Sequence, residues 1–220
     1  MSGALRYDLI VFDWDGTLAD STGLIAECVQ QAAMELRFRV PTMQEAKQVI
    51  GLGLLPALNQ LFPGLADRDY QAFAVAFRAR YLPRDHEATL YPGVVEMLQG
   101  LAQPERCLAV ATGKPRRGLE RAFDRTGIRG HFHFSRCGDE GFGKPHPDML
   151  LKLMDASGAT AKRTLMIGDT TFDLQMAQSA GVDAIAVTYG AHRRRELTQF
   201  GPMVMADRVG QLTQWLSRNA

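Results

Sequence analysis

Short apolar runs recur along the chain and alternate with longer stretches whose apolar residues repeat at helical spacing. These runs are too short for helices and are typical of buried strands. The predicted strands are Leu9–Phe12, Cys107–Ala111, His131–Ser135, Thr164–Ile167, Ala184–Thr188 and Met203–Met205. The helical stretches between them include Arg117–Arg125, Asp148–Met154 and Phe172–Ala180. This alternation predicts an α/β fold in which helices cover both faces of a parallel sheet.

One interval, from Ser21 to Arg84, contains no predicted strand. Its apolar residues follow helical spacing, and glycine and proline residues separate the successive helices. The predicted helices are Leu24–Leu36, Met43–Ile50, Leu54–Leu61 and Asp67–Tyr81. The alternation resumes at LYPGVVEMLQGL (90–101), whose apolar residues form one helical face. We therefore predict a core of residues 1–15 and 90–220, and an inserted α-helical cap domain of residues 16–89.

Composition narrows the class of protein. The 220 residues are 46% hydrophobic and 22% charged, which is ordinary for a globular protein. A net charge of +1 argues against a dedicated nucleic-acid-binding protein. Three widely separated cysteines show no metal-ligand spacing and predict no disulfide framework. Because we find neither a signal peptide nor a membrane-length apolar run, we expect a cytoplasmic protein without membrane contact.

The first predicted strand runs directly into two acidic residues in the segment FDWDGTLADS (12–21). Asp13 follows the strand, and Asp15 lies one residue further on. Carboxylates this close repel each other, and burial raises the cost of keeping both ionised. A bound cation would offset that cost.

Polar residues capable of chemistry follow three further predicted strands. Asp13 and Asp15 follow the first predicted strand, and Thr112, Gly113 and Lys114 follow the second. Lys144 follows the third strand, and Asp169 and Asp173 follow the fourth. In an open parallel sheet, ligands bind beyond the carboxyl ends of the strands. We therefore expect these residues to converge on one edge of the sheet.

Each position also has a purely structural interpretation. Thr112 is suited to capping a helix, and Lys144 could be an ordinary surface lysine. Thr171 could cap a helix that begins at Phe172, with Asp173 favouring the positive end of that helix. The joint occurrence of these residues in this order favours a functional site over four unrelated structural roles.

One chemistry uses all of these groups. Asp13, Asp15 and Asp169 would hold Mg²⁺, a hard cation that prefers oxygen ligands. A carboxylate could then attack phosphorus and form an aspartyl-phosphate, while a second carboxyl transfers protons. Thr112, Gly113 and Lys144 offer a hydroxyl, a backbone N–H and an ammonium for the phosphoryl oxygens.

The four motifs together resemble the haloacid dehalogenase superfamily, and within it the phosphatases that have a helical cap after the first motif. FDWDGTLADS is similar to the first family motif, ATGK (111–114) to the second, GKPHPD (143–148) to the third and GDTTFD (168–173) to the fourth. The resemblance covers nearly the whole chain. It implies a Rossmann-like, doubly wound sheet in which the first and fourth predicted strands are neighbours.

The resemblance also implies a role for each motif residue. Asp13 would be the nucleophile and Asp15 the acid and base, while Thr112 and Lys144 would bind phosphate. The Mg²⁺ ligands would be Asp13, Asp169 and the backbone carbonyl of Asp15, and Asp173 would support the metal site.

Differences between this chain and other branches of the family favour one branch. The founding dehalogenases lack the second acid that Asp15 provides, so phosphoryl transfer is favoured over carbon–halogen cleavage. β-Phosphoglucomutases usually carry a cap arginine where Leu54 stands in GLGLLPAL (51–58). ATGKP resembles the version of the second motif found in phosphoglycolate phosphatases. We therefore expect a phosphoglycolate-phosphatase-like hydrolase acting on a small phosphorylated substrate.

Other functions remain open at this stage. A mutase, a phosphotransferase or a pyrophosphatase would use the same motif residues. A phospho-receiver domain also surrounds an aspartyl-phosphate with acids, a threonine and a lysine, but it has no helical insertion. An inactive binding domain is a further alternative. The sequence makes no prediction of the oligomeric state.

Two further expectations concern the surroundings of the site. We expect cap closure about hinges near Gly16–Thr17 and Asp85–Tyr91. The cluster Arg193–Arg195 either attracts anionic substrates or is the solvated start of a helix at Glu196–Phe200, and the second interpretation is favoured. The mechanism assigns no role to the loop histidines His86, His146 and His192.

Overall fold

A computed structural model describes residues 6–220. The strands are β1 (Leu9–Phe12), β2 (Ala19–Asp20), β3 (Thr89–Leu90), β4 (Cys107–Thr112), β5 (Phe134–Cys137), β6 (Thr164–Gly168), β7 (Asp183–Val187) and β8 (Val204–Ala206). The α-helices are α1 (Thr22–Glu35), α2 (Met43–Lys47), α3 (Leu54–Leu61), α4 (Asp67–Arg84), α5 (Val94–Leu101), α6 (Arg116–Thr126), α7 (Asp148–Ser157), α8 (Thr171–Ala180), α9 (Arg194–Thr198) and α10 (Val209–Asn219).

Six strands form one parallel sheet in the order β5-β4-β1-β6-β7-β8. Phe12, at the end of β1, pairs with Val110 of β4 and Ile167 of β6. The chain passes outward from β1 to β5 and then returns to the other side of β1. The strand order therefore reverses beside β1, where doubly wound folds bind their ligands. The expected Rossmann-like sheet is confirmed, including the pairing of β1 with β6.

Burial on both faces explains why β1 consists entirely of apolar residues. Ile10 and Phe12 belong to a hydrophobic cluster that includes residues of α5, α6 and α10. Leu9 and Val11 belong to the opposite cluster, which includes residues of α7 and α8. Successive side chains of a strand point to opposite faces, so helices on both sides bury the whole strand.

Helices α1 to α4 lie between the two short strands β2 and β3, which pair antiparallel at the base of the helical insertion. The core of the insertion contains an aromatic group formed by Phe38, Phe62 and Phe73. The ring centroids of Phe38 and Phe73 are 6.2 Å apart in a stacked arrangement. The four helices therefore have a hydrophobic core of their own, distinct from the two clusters of the sheet.

Several predicted boundaries were wrong. The strand predicted at His131 begins at Phe134, because residues Arg129–His131 form a 3₁₀ turn. Helix α2 ends at Lys47 rather than Ile50, and α4 continues beyond Tyr81 to Arg84. Helix α9 begins at Arg194 rather than Glu196. The ribbon of β2 and β3 and helix α10 were not predicted. Their short or exposed segments carry a weaker apolar pattern than the buried strands.

Within residues 6–220, no helix combines the length and the apolar character needed to cross a membrane. The cytoplasmic location stays a prediction.

Candidate active site

Asp13 lies directly beyond β1 at the carboxyl edge of the sheet and is 1% exposed. Its backbone N–H donates to the carbonyl of Ile167, which continues the pairing with β6. One carboxylate oxygen, Oδ1, accepts a hydrogen bond of 2.6 Å from the backbone N–H of Trp14. The other oxygen, Oδ2, is buried and has no hydrogen-bond partner among residues 6–220. Asp13 therefore has one oxygen held in place and one available for a ligand or for chemistry.

Asp13, Asp169 and Asp173 form a compact group of buried carboxylates. One oxygen from each lies within 4.8 Å of the others. Burial raises the pKa of Asp13 well above its ordinary value, despite the opposing charge of Lys144. Burial, followed by repulsion from Asp173, raises the pKa of Asp169 to about 7. Three carboxylates at this spacing destabilise one another unless positive charge compensates them.

The cluster of three carboxylates fits a divalent cation. Its donors are all oxygen atoms, which hard cations such as Mg²⁺ prefer. Asp13 Oδ2 has no partner, so it has a free position for a cation. Asp169 is oriented by hydrogen bonds from the Thr17 hydroxyl (2.8 Å) and the Ala191 N–H (2.7 Å). Such orientation of a ligand by its neighbours is typical of metal sites.

Lys144 supplies positive charge to the cluster of three carboxylates. Its Nζ lies 2.8 Å from Asp13 Oδ1 and 2.6 Å from Asp173 Oδ1. Burial alone would lower the pKa of Lys144, but the two carboxylates raise it above the ordinary value. The side chain is fully buried, so the interpretation of Lys144 as an ordinary surface lysine is wrong.

Asp173 has two roles, one structural and one electrostatic. Its Oδ2 accepts hydrogen bonds from the backbone N–H and the hydroxyl of Thr170, forming a capping box at the start of α8. Its Oδ1 contacts Lys144. The capping residue is thus Thr170 and not Thr171 as the structural interpretation predicted. The expected position of Asp173 in the first turn of the helix is correct.

The side chain of Asp15 lies outside the cluster formed by Asp13, Asp169 and Asp173. Its Oδ1 accepts a hydrogen bond of 2.6 Å from the Ser21 hydroxyl and lies 2.9 Å from Nζ of Lys114. The side chain of Asp15 is therefore held by Ser21 and Lys114, whereas Lys144 contacts Asp13 and Asp173. The metal contact through the backbone carbonyl of Asp15 and proton transfer by its carboxyl, which the resemblance implies, stay predictions.

Thr112 and Gly113 lie at the end of β4, next to Asp13. The Thr112 hydroxyl accepts a hydrogen bond of 3.2 Å from the N–H of Lys114. The residue at the N-cap position of α6 is Pro115, so Thr112 does not cap that helix. At Gly113, a Cβ atom would lie 2.5 Å from the carbonyl oxygen of Gly51 in the helical insertion. Gly113 therefore allows the insertion to approach the sheet edge closely.

His192 connects the insertion to the sheet. Its Nδ1 accepts a hydrogen bond of 3.1 Å from the N–H of Thr171, and its Nε2 lies 3.2 Å from the carbonyl of Gln48. Burial lowers the pKa of His192, which favours the neutral ring. With Nδ1 accepting, the proton is on Nε2 and is donated to Gln48.

Sequence reasoning missed several contacts of this site. Thr17 and Ser21 lie within the first motif, and Lys114 lies within the second. Their positions in these motifs could have indicated that they contact the site. Tyr81 of α4 reaches Lys114 from the insertion, with its hydroxyl 3.2 Å from Nζ. Nothing in the local sequence around Tyr81 or His192 indicates these contacts, because they depend on packing between distant segments.

Arg193, Arg194 and Arg195 are exposed at the start of α9. Arg194 forms an ion pair with Asp207. This arrangement supports the interpretation of the cluster as a solvated helix start.

The carboxylates of the site are buried, and two cavities lie away from them. A cavity of about 360 Å³ is lined by residues that include Arg106, His131 and His133, near the amino ends of β4 and β5. A second, of about 290 Å³, lies against β8 and α10. Neither cavity is lined by any of the carboxylates of the site.

Comparisons with known proteins agree with this architecture. The family model for haloacid dehalogenase-like hydrolases matches residues 10–187. The chain is 35% identical over 213 residues to a protein of Dickeya dadantii (strain 3937) named probable phosphatase IndB, covering 93% of this chain and 91% of the relative. It is 33% identical over 220 residues to a phosphoglycolate phosphatase of Aliivibrio fischeri (strain ATCC 700601 / ES114), covering 95% and 96% of the two chains.

A solved structure gives the same result at the level of the fold. It is a crystal structure from Haemophilus somnus 129PT, described as a predicted phosphoglycolate phosphatase, and it superimposes with a TM-score of 0.82 at 26% identity. The match covers 96% of this chain and 99% of the other. The resemblance seen in the four motifs is thus confirmed, and the chain belongs to the haloacid dehalogenase-like hydrolases.

Proposed function

We propose that the protein is a Mg²⁺-dependent phosphatase that hydrolyses a small phosphorylated metabolite, in the manner of a phosphoglycolate phosphatase. Family membership and the names of the relatives support this class of reaction. The observation that carries the proposal is the setting of Asp13. Its free Oδ2 lies in a buried group that combines two more carboxylates with the ammonium of Lys144.

Asp13, Asp169 and the backbone carbonyl of Asp15 would hold the Mg²⁺ ion, with Asp173 supporting them. When bound, the ion would offset the repulsion among the carboxylates and allow an anionic phosphate group to approach. The unpartnered Oδ2 of Asp13 and the all-oxygen donor set support this assignment.

In the first half of the reaction, an oxygen of the Asp13 carboxylate attacks phosphorus. A bond forms between that oxygen and phosphorus, and the bond between phosphorus and the leaving oxygen breaks. Asp15 donates its proton to the leaving oxygen, which departs as an alcohol. The Thr112 hydroxyl, the Gly113 N–H and the Lys144 ammonium bind the phosphoryl oxygens and stabilise their charge.

In the second half, the aspartyl-phosphate is hydrolysed. Asp15, now ionised, takes a proton from a water molecule whose oxygen bonds to phosphorus. The bond between phosphorus and Asp13 breaks, and inorganic phosphate is released. The carboxylate of Asp13 and the proton on Asp15 are then restored for another cycle.

We propose that residues 16–89 act as a cap that must open for substrate to enter. Asp13 and Lys144 are 1% and 3% exposed, which supports a closed arrangement. Of the two proposed hinges, Gly16–Thr17 precedes β2, and Asp85–Tyr91 contains β3. Gly16 itself cannot test this idea, because a side chain there would collide with the carboxylate of Asp169.

A crosslink between cap and core tests the opening instead. The side chains of Gln48 in the cap and Glu196 in the core meet at 3.0 Å. Joining Gln48→Cys and Glu196→Cys with a bis-maleimide should stop turnover, while each single variant treated in the same way stays active. Undiminished turnover in the fully crosslinked double variant would contradict cap opening.

Phosphate release tests the proposed function directly. A panel of small phosphate esters and pyrophosphate would be assayed with Mg²⁺, with a chelator and with Asp13→Asn. We expect release that requires Mg²⁺ and that Asp13→Asn abolishes, while the surface control Asp155→Asn retains it. Release that survives Asp13→Asn would contradict the proposal. Transfer of the phosphoryl group to a sugar hydroxyl, without inorganic phosphate, would instead identify a mutase.

A further inference from the structure

Two lysines contact different carboxylates of the candidate active site, and the proposed reaction explains only one of these lysines. Lys144 contacts Asp13 and Asp173, where the phosphoryl group would bind. Lys114 lies 2.9 Å from Asp15, which would donate a proton to the leaving oxygen. Because Asp15 must contact the leaving oxygen, Lys114 lies beside the leaving group rather than beside the phosphoryl group.

Lys114 also contacts the cap. Its Nζ donates a hydrogen bond of 3.2 Å to the hydroxyl of Tyr81 and lies 5.2 Å from the centre of the Tyr81 ring. The Tyr81 ring stacks on Phe77, one turn earlier in α4, at a centroid distance of 5.6 Å. The aromatic ring favours the cation, and the stacking fixes its position. A residue of the core and a residue of the cap thus meet beside Asp15.

The ammonium of Lys114 retains capacity for a ligand. The side chain is 11% exposed, so its charge is largely removed from water. An ammonium group has three N–H donors, and within the described part of the chain Asp15 and Tyr81 are its two polar partners. One donor therefore remains for a third partner, and a largely buried cation favours an anionic one.

We propose that Lys114 and Tyr81 form the leaving-group subsite and select phosphate esters whose alcohol carries a carboxylate, that is, phosphorylated hydroxy acids. This inference rests on the proposed phosphatase function. Lys114 would bind the carboxylate of the substrate through its free N–H, and Tyr81 would complete the subsite when the cap closes. Lys114 and Tyr81 are specificity-determining residues in this account, and the groups that act on phosphorus stay those described above.

A matched pair of substrates tests the inference. In 2-phosphoglycolate the alcohol carries a carboxylate, while in 2-hydroxyethyl phosphate a neutral hydroxymethyl group replaces it. We expect the protein to prefer the carboxylate ester by about 10- to 100-fold in kcat/KM, the size of one charged hydrogen bond. Most of the difference should lie in KM, because the carboxylate stays bound in both the ground state and the transition state.

Variants show whether these two residues produce the preference. Lys114→Met should reduce the ratio of the two kcat/KM values to near one, while Lys114→Arg should restore part of it. Tyr81→Phe, which keeps the ring but removes the hydroxyl that contacts Lys114, should lower the ratio by a few-fold. Lys162→Met, at an exposed lysine on the core, is the control and should keep the full preference.

The outcomes separate this inference from the proposed function. Hydrolysis of both esters with equal kcat/KM would overturn the leaving-group subsite and leave the phosphatase intact. An unchanged ratio in Lys114→Met would overturn it as well. No hydrolysis of either ester or of any compound in the wider panel would overturn the proposed function itself. The ratio is the decisive quantity, because Lys114 contacts Asp15 and its loss would also slow both substrates together.

Discussion

The catalytic edge of the core and the interior of the cap are built in opposite ways. The core edge buries ionisable side chains, among them Asp13, Asp169 and Lys144, beyond the ends of parallel strands. The cap instead buries aromatic rings such as Phe38 and Phe73. Buried charges need exact partners, whereas apolar side chains tolerate substitution if volume is kept. We therefore expect the interior of the cap to tolerate substitution better than the core edge.

This difference assigns the two regions different parts of the function. The core edge holds the groups that we propose for phosphoryl chemistry. The cap reaches that edge through the loop at Gly51, the carbonyl of Gln48 and the hydroxyl of Tyr81. We infer that the reaction type is a property of the core, whereas substrate choice depends on these contacts. Four substitutions test the division, in order of decreasing effect.

Lys144→Met should have the largest effect, because it removes the cation between Asp13 and Asp173. We expect kcat/KM to fall by about 10²- to 10³-fold, since an electrostatic partner of the phosphoryl group is lost. Loss of one partner from a buried ion pair should also lower the free energy of unfolding by about 3–5 kcal/mol. Steady-state kinetics and urea unfolding measure the two effects.

Mg²⁺ gives this prediction a second readout. Without Lys144 the carboxylates are less compensated, so Mg²⁺ should raise the melting temperature of Lys144→Met at least as much as that of the unchanged protein. Lys152→Met, which removes an exposed helix ion pair with Asp148, is the control and should change neither kinetics nor Mg²⁺ response. Full activity in Lys144→Met would contradict the account.

Gly113→Ala tests the contact between the two regions. The added methyl group would lie within 2.6 Å of the carbonyl oxygens of Gly51 and Leu52, so the cap must move away to accept it. We expect kcat/KM to fall by about 10²-fold, the effect of a displacement near 1 Å, with little change in melting temperature. Gly118→Ala in α6, where the nearest contacts are ordinary, is the control. Equal kcat/KM in the two variants would show that close cap contact is not needed.

His192→Ala should have an intermediate effect. It leaves the carbonyl of Gln48 and the N–H of Thr171 without their partner. The free energy of unfolding should fall by about 1–3 kcal/mol, and KM should rise as the closed arrangement weakens. His131→Ala, at the distant cavity, should leave KM unchanged. A normal KM in His192→Ala would remove this residue from the connection between cap and core.

Glu45→Gln should have the smallest effect, which should be limited to the stability of the cap. Hydrogen bonding from Thr42 in the capping box of α2, with help from Arg39, lowers the pKa of Glu45 to about 2. Because this folded-state pKa is below the ordinary value, the stabilisation is present above about pH 4.5 and is lost as the pH falls toward about 2. Glu45→Gln should therefore flatten the dependence of stability on pH in this window, with kcat unchanged.

Urea unfolding at several pH values measures this effect. Glu105→Gln, at an exposed glutamate of the core, should keep the original pH dependence. A Glu45→Gln profile that matches the unchanged protein would mean that the capping box does not contribute to the stability of the cap.

The core site could be predicted from the sequence because its residues belong to the ends of strongly apolar strands. Asp13 and Asp169 follow β1 and β6 directly, and parallel strands bring their carboxyl ends to one edge. The apolar pattern thus located both the strands and the residues that follow them. The exact start of β5 was not predictable in this way, because its apolar run includes residues of a 3₁₀ turn.

The contacts of the cap could not be predicted, because they join residues far apart in sequence. Tyr81 and Lys114 are separated by 33 residues, and Gln48 and His192 by 144. Helical spacing gave the helices of the cap but not the direction in which the cap lies on the core. Tyr81 and His192 had no local pattern to distinguish them from ordinary surface or core residues.

The most direct test of the central claim is to trap the intermediate on Asp13. Enzyme quenched with acid during turnover would be reduced with borohydride, which converts an aspartyl-phosphate to homoserine, and then digested for mass spectrometry. The account predicts homoserine at position 13, dependent on both substrate and Mg²⁺. Steady turnover without modification at Asp13, or with modification at another residue, would contradict it.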